Sequence, residues 1–238
     1  MKNVWTIASR ELRAFAVSPM PYVVSALFLV VIGYFFAIIL ITSQEATLRN
    51  TFSNMMFVLL LLAPALTMRL LAEEQRLGTI ELLLTAPVRD WQVVLGKWLG
   101  SFIAFAGAII LPTLFYPLVL KFIGNPDMLP MATGYVGMLL FGGGFLAVGI
   151  FTSALTQNQV IAYFAGFAIL LLLFVAEPAT SIAGTGPLGA TISYIAIQRH
   201  YDSFFRGVID SIDVVYGLSL IAIPLILATL VLQTRRWG

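Results

Sequence analysis

The sequence predicts an all-α, polytopic membrane protein, and three observations predict it. The 238 residues are 60% hydrophobic and only 10% charged, where a soluble domain carries about 25% charged residues. Several apolar runs reach the roughly 20 residues that a helix needs to cross a bilayer. Those runs are continuously apolar rather than alternating, which argues against a membrane barrel. Cysteine is absent, so disulfides, thiolate zinc sites and cysteine nucleophiles are excluded. The basic residues are scattered at the ends of the apolar runs and form no stripe of the kind that binds nucleic acid.

The first element spans residues 2–16. Trp5, Ala8, Leu12 and Phe15 recur at helical spacing, while Lys2, Thr6, Arg10 and Arg13 lie largely elsewhere. The pattern predicts an amphipathic helix in the membrane interface, with Trp5 at headgroup depth. Ser18-Pro19-Met20-Pro21 should break it and turn the chain into the membrane. The run from Met20 to Ile41 is too long for the apolar core of a signal peptide and is expected to be a retained first span.

Six spans are expected, over 20–42, 52–70, 98–120, 132–154, 159–176 and 214–233, forming a single transmembrane domain over 1–238. Lys2, Arg10, Arg13, Arg69, Arg76, Arg89, Lys97, Arg235 and Arg236 fall on one side of such a bundle. Only Arg49, Lys121, Arg199 and Arg206 fall on the other. The positive-inside rule then predicts that both termini are cytoplasmic. Pro112 and Pro117 should kink the third span. Gly137, Gly142, Gly143, Gly144 and Gly149, like Gly96, Gly100 and Gly107, predict close helix packing.

Between the second and third spans lies a charged island, 69–97, expected to face the cytoplasm. It carries Arg69, Glu73, Glu74, Arg76, Glu81, Arg89, Asp90 and Lys97. Inside it, Gly78 can start and Pro87 can stop a short helix over Thr79–Thr85. That helix would show Leu82 and Leu83 beside Glu81, an apolar knob rimmed by charge. Apolar knobs give affinity and charges set register, so the island reads as a docking surface for a soluble partner.

The loop 177–213, on the other side, opens with a stretch rich in Gly, Pro, Ser and Thr that predicts irregular structure. It continues as ISYIAIQRHYDSFFRGVID, whose mixed aromatic and charged residues suit an interfacial helix ended by Gly207. The single histidine, His200, is expected to be structural.

Several chemistries are missing from the pattern. No G-x-x-x-x-G-K-[ST] run exists to wrap nucleotide phosphates, and Gly96-Lys97-Trp98 lacks the first glycine and the hydroxyl. The mid-span positions carry no ionisable residue of the kind a proton-coupled carrier requires. Arg69, Lys97, Lys121 and Glu177 sit at span ends, where snorkelling would explain them. Neither H-E-x-x-H nor a histidine at membrane depth beside a serine is present, so an intramembrane enzyme is not expected.

The run E-E-x-x-x-G-T-x-E-L-L-L-T-A-P, followed by V-L-G-K, resembles the first cytoplasmic loop of type-2 ABC transporter permeases. The nearest groups are the gliding-motility-type permeases and those of nitrous oxide reductase maturation. The matching positions are Glu73, Glu74, Gly78, Thr79, Glu81 through Thr85, Pro87 and Lys97. A second similar stretch runs from Ile192 to Ala222. The resemblance implies a non-catalytic permease subunit, which encloses a pathway as a dimer with itself or a paralogue. It places the ATPase, with its ATP and magnesium, on separate subunits in trans. It implies that Glu73, Glu74, Arg76, Gly78, Thr79, Glu81, Leu82, Leu83, Thr85 and Pro87 meet that subunit through a coupling helix. The helix carrying Trp5, Arg10, Leu12 and Phe15 corresponds to the family's connecting helix, and Ser153–Gln159 to a weaker second contact. The expected function is therefore ATP-driven transport, most simply export, across a bacterial-type inner membrane. The alternative is a non-transporting scaffold that recruits a soluble partner through the same loop. The sequence identifies no cargo.

Overall fold

The computed structural model describes residues 2–43, 45–79, 88–183 and 186–236. Among them there are only helices and connections. Helix α1 (Lys2–Val17) is followed after a single residue by α2 (Pro19–Ser43), then α3 (Arg49–Thr67) and α4 (Arg69–Arg76). Helix α5 (Asp90–Phe105) runs through a π-helical turn (Ala106–Ile110) into the short α6 (Leu111–Thr113) and α7 (Phe115–Ile123). Then come α8 (Met128–Leu155), α9 (Gln159–Ala183), α10 (Pro187–Ile195), α11 (Ile197–Phe205) and α12 (Ser211–Arg236). Six of the helical stretches are long and apolar enough to span a membrane: Pro19–Ser43, Arg49–Arg76, Asp90–Ile123, Met128–Leu155, Gln159–Pro178 and Ser211–Thr234. Each contains or overlaps the span expected at its place.

Helix α8 is the centre, packing against α3, α4, α5, α9, α11 and α12. Its small residues allow this. A Cβ on Gly142 would come 2.5 Å from the Phe105 ring, and one on Gly137 2.8 Å from Phe204 Cβ, so glycine here lets large aromatic neighbours reach the axis. By contrast α2 and α12 keep many large apolar side chains outward, among them Val30, Tyr34, Val215 and Ile226, as lipid-facing helices do.

The third span shows what its prolines do. Pro117 has no N–H, so the carbonyl of Thr113 loses its helical donor. Tyr135 of α8 supplies one, its Oη donating to Thr113 O at 2.6 Å. The π-turn just upstream widens the same helix, a usual route to a kink.

Two expectations are corrected. The stretch 178–189 is not an irregular opening to the far loop: α9 continues through Pro178 to Ala183 and α10 begins at Pro187. Thr79, directly after Gly78, is again helical, and the rest of the expected short helix lies outside the described residues. Gly78 also has a role that was not expected. It closes α4, with φ +69 and its N–H on Gln75 O at 3.3 Å, the left-handed stop that glycine favours. The expected apolar face of the first helix is divided, with Ala8 and Phe15 covered by protein and Trp5 left outward, as headgroup depth requires. Val4, Ile7, Ala8, Glu11 and Phe15 are buried, whereas Trp5 is 61% exposed and Leu12 only half-buried. The buried stripe follows protein contact with α5, which periodicity alone cannot distinguish from contact with lipid.

At the far end α11 lies with Ile197, His200, Tyr201, Phe204 and Phe205 buried in the bundle. It stops as expected at Gly207, φ +91, where Gly207 N–H donates to Phe204 O at 3.2 Å and Val208 N–H to Ser203 O at 3.0 Å. Thr133 of α8 pins this turn by donating to Phe204 O at 2.7 Å.

Candidate functional site: the base of the charged loop

The described part of the charged island is α4, and its placement is decided by contacts from three directions. The first is α8. Helix α3 ends at Thr67 and α4 begins at Arg69 although Met68 keeps helical dihedrals (φ −53, ψ −32), and the first N–H groups of a new helix lack partners within it. No local side chain caps them. Ser153 does so from α8: its Oγ accepts from Leu71 N and Ala72 N, each at 3.0 Å, and donates to Met68 O at 2.8 Å. Gln75 adds a bond from Nε2 to Ala154 O at 2.9 Å. Ser153 is thus fully buried inside the bundle.

The second direction is α5. Lys97 was expected to snorkel from a span end, but it is 1% exposed. Its Nζ donates to Glu11 Oε1 of α1 and to Glu74 Oε1 of α4, both at 2.8 Å. A buried ammonium needs compensating charge, and two helices supply it.

The third is α1. Arg10 Nη2 reaches Glu74 Oε1 at 3.1 Å and Glu11 Oε1 at 3.3 Å. Two cations and two carboxylates alternate and join three helices. Helix α1 can approach α5 because Gly96 and Gly100 face it. A Cβ on Gly96 would lie 2.8 Å from Ile7 Cβ, and one on Gly100 2.8 Å from Glu11 Cβ and 2.9 Å from Ala8 O. Arg69 closes the corner, with Nη1 on Ser18 Oγ at 2.9 Å and its guanidinium 5.2 Å over the Phe15 ring.

The expected contact residues therefore divide. Phe15 is buried, Glu73 and Glu74 are half-buried, and Arg10 is exposed and caps the cluster from the surface. Arg76, Gly78 and Thr79 are exposed, with Thr79 Oγ1 donating to Glu74 O at 3.3 Å. Arg76 lines an open cleft of about 810 Å³ with Leu155, Thr156, Gln157, Asn158, Gln159 and Val160. Exposed α4 thus adjoins the loop between α8 and α9. Glu81, Leu82, Leu83, Thr85 and Pro87 lie outside the described residues. Glu11, Gln75 and Ser153 were not singled out from sequence as holding this base. The signal for Glu11 was a carboxylate within the apolar stripe Val4, Ile7, Ala8, Phe15; for Ser153 no local signal exists.

A second polar cluster lies at the opposite end. His200, expected to be structural, is 3% exposed, with Nδ1 2.7 Å from Asp213 Oδ1 and Nε2 2.9 Å from Tyr194 O. Its ring stacks on Tyr216 at 3.9 Å between centroids. Ser203 joins the cluster, but its hydroxyl donates to Asp213 Oδ2 and to His200 O. The hydroxyl is not held by the imidazole, so this is not the nucleophile–base order of a hydrolytic triad. The cluster ties α11 to the start of α12.

An all-α bundle with six helices long and apolar enough to cross a membrane, and with the charged α4 clamped at one end, defines a multi-pass membrane protein. Residues 5–237 match the family model described as ABC-2 family transporter protein, and the chain belongs to that family. Comparison with curated proteins gives no match.

Proposed function

We propose that this chain is the permease subunit of an ATP-driven exporter. It would dimerise with itself or a similar permease and take its power from two ATP-binding subunits that hold ATP and magnesium in trans. It would lie in a bacterial-type inner membrane with both termini cytoplasmic. The loop after α4 serves as the coupling element, with Glu81, Leu82 and Leu83 entering the ATPase and Arg76, Gly78 and Thr79 at its margin. The observation that carries this reading is the clamping of α4 to α1, α5 and α8. A soluble partner that moves the loop pushes on a segment tied to three other helices, so the displacement passes into the bundle instead of being lost in a slack connection. Family membership supports the same division of labour.

The test is co-purification of the tagged chain with its chromosomal neighbours in mild detergent, followed by mass spectrometry and an ATPase assay. A P-loop subunit should appear at equal stoichiometry and be lost on Glu81→Arg, with insertion of the permease unchanged. A chain that purifies alone, or with a partner lacking a nucleotide site, would overturn the reading in favour of a scaffold.

A further inference from the structure

At the end of the bundle opposite the charged loop, an open cavity of about 790 Å³ lies between α3, α9 and α11. Its volume falls in the range of small-molecule sites. Its wall is divided by chemistry. Phe57 of α3 and Phe174 of α9 form an apolar side, their rings 5.6 Å apart between centroids. Arg199 and Arg206 form a cationic side, with Asn54 between the two.

The charges are unequally matched. Asp202 is held by Arg49 at 3.0 and 3.2 Å and also by Arg206, so two guanidiniums share one carboxylate. Arg199 has no acidic partner among the described residues, and its Nη1 reaches only Ser193 Oγ at 3.3 Å. On the wall itself Arg199 and Arg206 stand with Asp202 and Glu177, and Arg49, outside the lining, takes part of the Asp202 charge. The Asn54 amide, beside Ser53 on the same wall, has no hydrogen-bond partner among the described residues. Guanidinium is the side chain best matched to an oxyanion because its planar fork gives paired bonds. An aromatic wall beside it, at the end of the spans, suits a hydrocarbon tail.

We propose that this cavity binds an amphiphile with a phosphodiester headgroup. Arg199 and Arg206 take the phosphate oxygens, Asn54 bonds an ester or hydroxyl, and the tail lies along Phe57 and Phe174. The site is a property of the single chain and does not depend on the ATP-binding partner or on the direction of transport.

The full chain in neutral maltoside detergent is titrated with dihexanoyl phosphatidylglycerol, with dihexanoylglycerol, which lacks the phosphate, and with inorganic phosphate. The phospholipid should bind, and Arg199→Gln should weaken it about tenfold, the scale of one charge-assisted hydrogen bond, without lowering Tm. Asn54→Leu, which leaves every guanidinium in place, should weaken it less. Phe57→Ala should weaken the phospholipid and leave inorganic phosphate unaffected. Equal binding of dihexanoylglycerol, or no effect of Arg199→Gln, would overturn the phosphate assignment. Inorganic phosphate binding as tightly as the phospholipid would overturn the amphiphile and leave a free-anion site.

Discussion

Lys97 and Glu74 stand 23 positions apart and meet at 2.8 Å, so the ion pair closes the base of the loop that separates them. Glu11 shares the same ammonium and adds the first helix to the closure. The charged segment between Glu74 and Lys97 therefore begins and ends on a single buried contact.

Removal of that ammonium leaves two carboxylates facing each other under Arg10 alone. Breaking a buried pair from one side costs about 3–5 kcal/mol, because the remaining charge is stranded. Lys97→Met should lower Tm in detergent markedly. Adding Glu11→Gln and Glu74→Gln to Lys97→Met should recover much of the loss. A triple variant no more stable than Lys97→Met would show that the lysine stem, not its charge, matters.

Ser153 makes a different kind of contact, a helix cap supplied from another helix. Ser153→Ala strands the Leu71 and Ala72 N–H groups and should cost about 1–2 kcal/mol, the scale of a lost cap. Hydrogen exchange at Leu71 and Ala72 should quicken while exchange in the middle of α8 is unchanged. Uniform quickening along α8 would mean that the serine holds the bundle rather than α4.

Most of the fold was legible because lipid imposes a simple rule: each crossing is a long apolar helix, so length and composition place it. The clamp was not legible to the same degree. Glu11 stood out only as a charge on an apolar stripe, and the division of the α1 face was hidden because Trp5 and Leu12 continue the same period as Ala8 and Phe15. Lys97 read as an end-of-span lysine, since nothing local records that two acids 86 and 23 positions away converge on it. Ser153 carries no local mark of its cap, which depends on α4 starting afresh at Arg69. Gly78 was expected only to open the next helix, and nothing local showed that its left-handed backbone also closes α4.

The approach of α1 to α5 depends on hydrogen at two α-carbons. Gly96→Val puts methyl groups where Ile7 Cβ already lies 2.8 Å from an added Cβ, and overpacking of this kind costs about 1–3 kcal/mol. Helix α1 should lift, and limited proteolysis should cut within residues 2–17 before the spans are touched. Gly107→Ala, where an added Cβ meets nothing within 4 Å, should leave the pattern unchanged. Equal protection of α1 in both variants would refute the close-packing account.

The kink in the third span permits a test in which one mutation cancels the effect of another. Pro117 leaves Thr113 O without its helical donor, and Tyr135 Oη fills the vacancy at 2.6 Å. Tyr135→Phe alone should therefore strand a buried carbonyl and cost about 1–2 kcal/mol. In a Pro117→Ala background the new N–H at 117 can serve Thr113 O, so the same Tyr135→Phe change should cost only a few tenths of that. The double-mutant cycle, read from unfolding in detergent, should give a coupling of about 1 kcal/mol. Additive losses would mean that the tyrosine hydroxyl stabilises the span by packing, and that the carbonyl freed by the proline is satisfied in some other way.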